Sequence, residues 1–315
     1  MTSLLDHRLL FVTGKGGVGK STVASALALL ASTQGKKTLV CEVEPKGDLS
    51  ALYECGPTSF AGREIAEHLW AMSMDTEASL REYLKINLRV PVVGRIGPLA
   101  RAFDFVATAA PGVREILVVG KLCWEVREQN WDLIVVDASA TGHVIGQLAA
   151  PQAINSLVKV GLVRQQTDWM LDILSDPAKT GLCVVTTPEE MPVNETIELA
   201  GRVGAETTVS LSTVIVNRVL PELFGANEEA MFEALCAEEV ARTLAVESGG
   251  DVGLIFEGAH LAVTMRRTQA AHLDRLRKHI DAAVPFLFLP YLFTRVHGLR
   301  TTRKVARAID EELGS

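Results

Sequence analysis

Apolar positions in this chain gather into short continuous runs separated by stretches of helical periodicity. Leu9 to Val12, Thr38 to Glu42, Trp131 to Asp137, Leu182 to Thr186 and Thr213 to Asn217 show no polar alternation. Such runs fit strands buried on both faces, as in a parallel sheet covered by helices. Leu69 to Met74 is a shorter run, and Phe286 to Tyr291 is the last. Between them, Val23 to Leu30 reads as a helix apolar on most faces, and Thr76 to Lys85 as a helix capped by Asp75. Pro111-Gly112 opens another, with Val113, Ile116, Leu117 and Gly120 on one face. A helix containing Asn194 to Leu199 follows the turn Pro188 to Pro192, and a charged helix spans about Glu257 to His279. Strands alternating with helices predict an α/β fold with a doubly wound, mainly parallel sheet. The 315 residues read as one domain, with helical insertions at about 58–129 and 152–178. The arginines of the first insertion (Arg89, Arg95, Arg101, Arg114) read as its solvated faces.

One stretch organises the rest. Gly14-Lys15-Gly16-Gly17-Val18-Gly19-Lys20-Ser21-Thr22 fits G-x-x-x-x-G-K-[ST] and stands between the first strand and the first helix. That is the setting a phosphate-binding loop requires. Its glycines let backbone N–H groups turn inward around phosphate oxygens, and the helix N-terminus adds its dipole. Lys20 would sit on the β/γ-phosphates, and Ser21 would offer its hydroxyl to Mg²⁺. Gly14, Gly16 and Gly19 also satisfy the dinucleotide fingerprint G-x-G-x-x-G, with Glu42 near the place of its ribose-binding acid. The adjacent Lys20-Ser21 decides for a nucleoside triphosphate. Asp137 ends the clearest strand, as a carboxylate that orients Mg²⁺ or its water would. Ala138 to His143 follows, small enough for a switch loop that senses the γ-phosphate. The loop Glu42 to Asp48 brings further acids to a strand end, where ligands bind in open α/β sheets.

Composition narrows the class. A net charge of −7 argues against nucleic-acid partners. No apolar run approaches the ~18 residues of a membrane span, and the first residues lack the basic region of a secretory signal. The chain is therefore expected to be cytoplasmic and not integral to a membrane. The five cysteines have no C-x-x-C spacing and read as buried thiols rather than a disulfide frame or metal site.

The loop Gly-Lys-Gly-Gly-Val-Gly-Lys carries an extra lysine, Lys15. It resembles the deviant phosphate loop of arsenical-pump ATPases, the tail-anchored-protein targeting ATPase, the cell-division and partitioning ATPases and the nitrogenase iron protein. The segment Asp137-Ala-Ser-Ala-Thr-Gly-His143 is similar to the Asp-Thr-Ala-Pro-Thr-Gly-His switch of the arsenical-pump and targeting branch. Pro111-Gly112, Pro188-Glu189, Glu195-Thr196 and Asn217 fit the same branch. The chain looks most like its actinobacterial anion-transporting members, over nearly its whole length.

The resemblance implies a Mg-ATP-dependent dimeric ATPase whose turnover reshapes a helical region that binds a partner or ligand. Lys15 would reach phosphates across the dimer interface, and Asp137 would act on the metal side. Asn217 would recognise adenine, helped by the loop after Pro290. The nucleotide would be held by Gly14, Gly16, Gly17, Val18, Gly19, Lys20, Ser21 and Thr22, and the Mg²⁺ by Ser21 and Asp137. The partner is implied to be a second copy or a paralogue, and the client an unidentified protein, lipid or small molecule. Three departures stand out. Glu44-Pro45 replaces the family's Asp-Pro, whose aspartate positions the attacking water, so turnover is expected to be slow. The alternative is a weakly hydrolysing regulatory subunit in a complex with a paralogue. Ala259 and Ala262 replace the targeting ATPase's zinc-binding cysteines, so no zinc is expected. Finally, the segment between Pro151 and Pro177 is short and holds one methionine, Met170, whereas the targeting ATPase covers its client with methionine-rich helices there. Leu157, Val158, Leu162, Val163, Trp169 and Ile173 in that segment read as ordinary core packing.

Overall fold

The computed structural model describes residues 4–88, 112–158, 160–250, 252–294 and 298–314. Eight strands of these residues form one sheet: β1 (Leu9–Gly14), β2 (Thr38–Glu42), β3 (Arg63–Ala66), β4 (Leu69–Ser73), β5 (Leu133–Asp137), β6 (Thr180–Thr186), β7 (Ser210–Val219) and β8 (Phe286–Pro290). Their order is β3-β4-β2-β5-β1-β6-β7-β8. All neighbours run parallel except β3 and β4. The helices are α1 (Lys20–Thr33), α2 (Asp48–Tyr53), α3 (Thr76–Leu88), α4 (Val113–Arg127), α5 (Thr141–Leu157), α6 (Leu162–Leu174), α7 (Glu190–Glu206), α8 (Ala226–Leu235), α9 (Glu238–Ser248), α10 (Gly253–His279) and α11 (Leu299–Gly314).

The continuous apolar runs have the predicted cause. In β1, Leu10 and Val12 pack with α1, Leu49 and Tyr53 of α2, and α11. Leu9 and Phe11 face the other way, onto α4, α5, α6 and α7. A third cluster joins Val193 of α7, Val214 and Val216 of β7, and Leu276 of α10. Each fully buried side chain of this size contributes about 1.5–3 kcal/mol. The result is a three-layer α/β/α molecule with β1 near the middle of the sheet. The chain winds outward from β1 to one edge and then back to the other. The carboxyl ends of the central strands therefore flank a topological switch point, where ligands bind in open α/β sheets.

The structure departs from the sequence reading in several places. Within 58–129 the run at Leu69 is the strand β4, as expected, but a further strand, β3, precedes it. β4 pairs with β2 from Thr38–Leu69 to Glu42–Ser73, and the exposed β3 pairs with β4 as an antiparallel edge. Only then do α3 and α4 follow, joined by Lys121 of α4, whose ammonium lies 2.7 Å from Glu82 of α3 and 2.7 Å from Glu125. The Asp75 cap is present, its Oδ1 accepting the Ala78 N–H at 2.7 Å. Pro111, the apolar stretch before it, and Arg89, Arg95 and Arg101 lie outside the described residues, whereas Arg114 is exposed. In the second insertion, Met170 and Ile173 are buried, but Leu157 is 81% exposed and Val163 43%. Core packing does not account for those two. Cys41, Cys123 and Cys183 are buried free thiols, but Cys55 is half-buried and Cys236 exposed. The strand ending at Asn217 runs on to Val219. Thr141, Gly142 and His143 are the first turn of α5, so the flexible link after Asp137 is only Ala138 to Ala140. Sequence reading missed α2, β3, α8, α9 and α11. α11 did carry a signal: its buried Thr302, Val305, Ala306 and Ile309 stand at i, i+3, i+4 and i+7. α9 buries no residue.

Candidate nucleotide site

Gly14 ends β1 at a point where only glycine fits. Its φ is +151°, and an added Cβ would lie 2.0 Å from the Val185 carbonyl oxygen of β6. The loop then turns through Gly17 (φ +88°) and Gly19 (φ +98°), which caps α1. A Cβ at Gly19 would lie 2.6 Å from the Asn217 amide nitrogen. Val18 is buried and anchors the loop to the core.

Gly16, Gly17, Gly19, Lys20, Ser21 and Thr22 line a cleft of about 420 Å³ with Glu44, Lys46, Asp48, Asp137, Ala138 and Ala140. That size falls within the range of small-molecule sites. The Lys20 ammonium donates to the Lys15 carbonyl at 3.2 Å. Burial lowers the Lys20 pKa, and Asp137 partly opposes the shift. Asp137 is 7% exposed. Burial pushes its carboxyl up to about 6, against the pull of Ser21 and Lys20. The Ser21 hydroxyl lies 3.3 Å from Asp48 Oδ2 and also faces Asp137, with one proton to give. A serine hydroxyl beside two carboxylates, one of them buried and short of positive charge, is an oxygen donor set suited to Mg²⁺.

Glu44 enters the cleft from the loop after β2. It pairs with Lys46 at 2.8 Å. Lys46, helped by the Ser139 hydroxyl, holds its carboxyl below the usual range although burial opposes this. Buried Glu42 sets the course of that loop. Its Oε1 accepts the N–H groups of Lys46 (3.2 Å) and Asp48 (3.0 Å), and its Oε2 accepts the Ser73 hydroxyl (3.2 Å). A carboxylate so engaged is a structural brace, not a free ribose acceptor.

The other predicted residues lie around this cleft rather than in it. The Asn217 amide donates to the Val18 carbonyl (2.8 Å) and accepts the Arg218 N–H (2.9 Å). Gln269 of α10 braces the backbone at this point, accepting from Leu220 N–H (2.9 Å) and donating to the Arg218 carbonyl (3.2 Å). Arg218, at φ +61°, also donates to the Gly17 carbonyl at 3.0 Å. Pro290 ends β8 opposite Val219 and is exposed. Lys15 turns away from the cleft and forms an ion pair with Glu195 of α7. Sequence reading named Asp48 and Lys46 only as parts of a loop, Ser139 only as part of the switch segment, and gave Arg218 no role. Arg218 reaches Gly17 from a distant segment, whereas Lys46 pairs with Glu44 two residues away in its own loop.

Comparison with known proteins gives a family and several relatives. The family model described as anion-transporting ATPase matches residues 7–171 and 162–246. ATPase BagA of Mycobacterium tuberculosis is 33% identical over 303 residues, covering 90% of this chain and 87% of that protein. A Halobacterium salinarum protein described as an arsenical pump-driving ATPase is 26% identical, over 87% of this chain and 44% of its own length. ATPase get3 of Schizosaccharomyces japonicus is 32% identical over 150 residues, covering 46% of this chain and 44% of that protein.

Proposed function

The chain is an ATPase of the anion-transporting ATPase family, and from that premise we propose that it works as a Mg-ATP-dependent dimeric switch. Nucleotide binding and hydrolysis would move the α3 to α6 region and so change its hold on a partner or ligand. The carrying observation is the cleft at the switch point, where the loop N–H groups, Lys20, Ser21 and Asp137 converge. The loop N–H groups and Lys20 would bind the phosphates and fix their orientation. Ser21 and Asp137 would hold Mg²⁺, which neutralises charge on the phosphate oxygens when bound. Glu44 would accept a proton from, or orient, the attacking water once it leaves Lys46 and Ser139. Asn217, freed from Val18, would offer its amide to adenine beside the loop after Pro290. Lys15 would act on the phosphates of the partner subunit.

Glu44 also favours a second reading, a subunit that binds nucleotide, hydrolyses little and works beside a more active paralogue. Its carboxylate is one methylene longer than aspartate and is already engaged by Lys46 and Ser139. Misplacing a reacting group by about 1 Å can cost on the order of 10²-fold.

The client is open in chemistry. Among the described residues, α3 to α6 enclose an apolar cavity of about 200 Å³ that includes Tyr83, Trp124, Trp169 and Met170. That volume suits a small apolar group and is far short of a ~20-residue helix. No described helix is long and apolar enough to cross a membrane. No described group of three or more His, Cys, Asp or Glu could hold a metal ion. Ala259 and Ala262 stand on α10 where the zinc-binding relatives carry cysteine, and a zinc-free dimer is part of this proposal.

The test is calorimetric ATP titration with Mg²⁺, paired with phosphate release. The parent protein should bind and hydrolyse ATP, and Lys20→Ala should lose binding. ATP binding that survives Lys20→Ala at the parent affinity would place the nucleotide elsewhere.

A further inference from the structure

Glu195 stands on α7, 180 residues along the chain from Lys15, and its carboxylate has two partners. Its Oε1 holds the Lys15 ammonium, and its Oε2 accepts the Thr141 hydroxyl at 3.3 Å. Lys15 belongs to the phosphate loop. Thr141 is the first residue of α5, four positions beyond Asp137. One carboxylate therefore joins the phosphate loop to the segment that leaves the metal-side acid. The backbone of Lys15 is held as well, since its carbonyl accepts from Lys20. With both ends engaged, Lys15 cannot serve a phosphate of either subunit until Glu195 lets go.

We propose that Glu195 is a positioning residue that stores Lys15 within its own subunit, and that its bond to Thr141 ties the release of Lys15 to movement of the switch segment. This rests on the ATPase reading above. The pair has the strength such a store needs. The side chains of Lys15 and Glu195 are 26% and 32% exposed, so solvent screens the attraction and the pair is breakable. A nucleotide triphosphate carries several negative charges against the single charge of Glu195 and can outcompete it. A shift of the Thr141 hydroxyl would at the same time remove the contact that keeps the Glu195 carboxylate aimed at the loop. The stored state withholds the extra lysine until nucleotide is bound and the segment after Asp137 has moved.

Acylation of Lys15, followed by mass spectrometry on the nucleotide-free full-length protein, reads the pair directly. Lys15 in the parent should react slowly. Glu195→Gln keeps the size and a hydrogen-bonding group but removes the charge, and should raise the rate about three- to tenfold with Lys36 as internal reference. Glu195→Ala, favourable within a helix, is the second variant should the first fold poorly, and should act in the same direction. Basal Mg-ATP turnover should rise by a similar factor in both. Unchanged Lys15 labelling in both variants would overturn the proposal, and so would a fall in turnover, which would make Glu195 an aid to catalysis. Failure of the unmodified protein to bind ATP would sink the ATPase reading alone. The labelling comparison needs no nucleotide and would still decide whether Glu195 holds Lys15.

Discussion

Asp137 and Glu44 line the same cleft, yet their surroundings shift them in opposite directions. Burial raises the Asp137 carboxyl to about 6, while Lys46 holds Glu44 as an anion. Asp137 is therefore a carboxylate kept where its charge is unfavourable, as the proposed metal-side role would require. Replacing it with asparagine removes the buried charge at neutral pH, so Asp137→Asn should stabilise the nucleotide-free protein by about 1–3 kcal/mol. The same change should abolish Mg-dependent phosphate release. Denaturant unfolding and a turnover assay check both halves, and a less stable variant would mean that the carboxylate is structurally needed. At Glu44 the expected result is a gain. Glu44→Asp should raise turnover by about 10- to 10²-fold if carboxylate length limits water placement. A slower Glu44→Asp enzyme would show that Glu44 is not the counterpart of the family aspartate.

At the scale of elements, β1, α1 and α11 show how the site is held. The phosphate loop hangs between β1 and α1, and α11 packs beneath α1 through Val305, Ala306 and Ile309. Ile309 is fully buried. Ile309→Ala should cost about 2–4 kcal/mol, the usual range for deleting a buried aliphatic side chain. Thermal or denaturant unfolding measures it, and a loss below about 1 kcal/mol would mean that α11 is only loosely seated. The contrast with α9 is instructive. α9 buries nothing, and with α8 and the start of α10 it exposes Met231, Val246, Leu254 and Ile255. α10 was legible as a long charged segment of 27 residues, whereas α8 and α9 are short, at 10 and 11 residues. α11 was legible in principle, but its apolar stripe is narrow and lies in a strongly polar segment, so the run-based reading passed over it.

At the scale of the molecule, the site is a convergence at one end of the sheet, and the proposed mechanism needs a second subunit. That can be tested with two inactive proteins. Lys15→Ala should bind ATP without hydrolysing it, and Asp137→Asn should also be inactive. If Lys15 acts across a symmetric dimer, mixing and exchanging the two variants creates sites with an intact Asp137 and a partner's Lys15. Random pairing should restore about a quarter of the parent turnover. A mixture that stays inactive, with subunit exchange verified, would confine Lys15 to its own subunit.

The sheet's parallel character was legible in the sequence, because continuous apolar runs fit strands covered by helices on both faces. The phosphate loop was legible as an expectation, because glycines, lysine and serine at that spacing between strand and helix fit a nucleoside triphosphate. The sequence pointed to Asp137 for the same reason, as a polar end to an apolar strand. The pairing of the polar side chains emerges from the fold alone. Glu42 bracing the Glu44 loop, Asn217 turned onto Val18, Ser21 facing Asp48 and Lys15 held by Glu195 all join residues from separate segments. Each of those side chains has several possible partners of similar chemistry, and periodicity carries no information about which one the fold brings within reach. The strand β4 was recognised as a run, but its place beside β2 was not. A strand's neighbours are set by where the crossovers return the chain, and short-range pattern does not encode that.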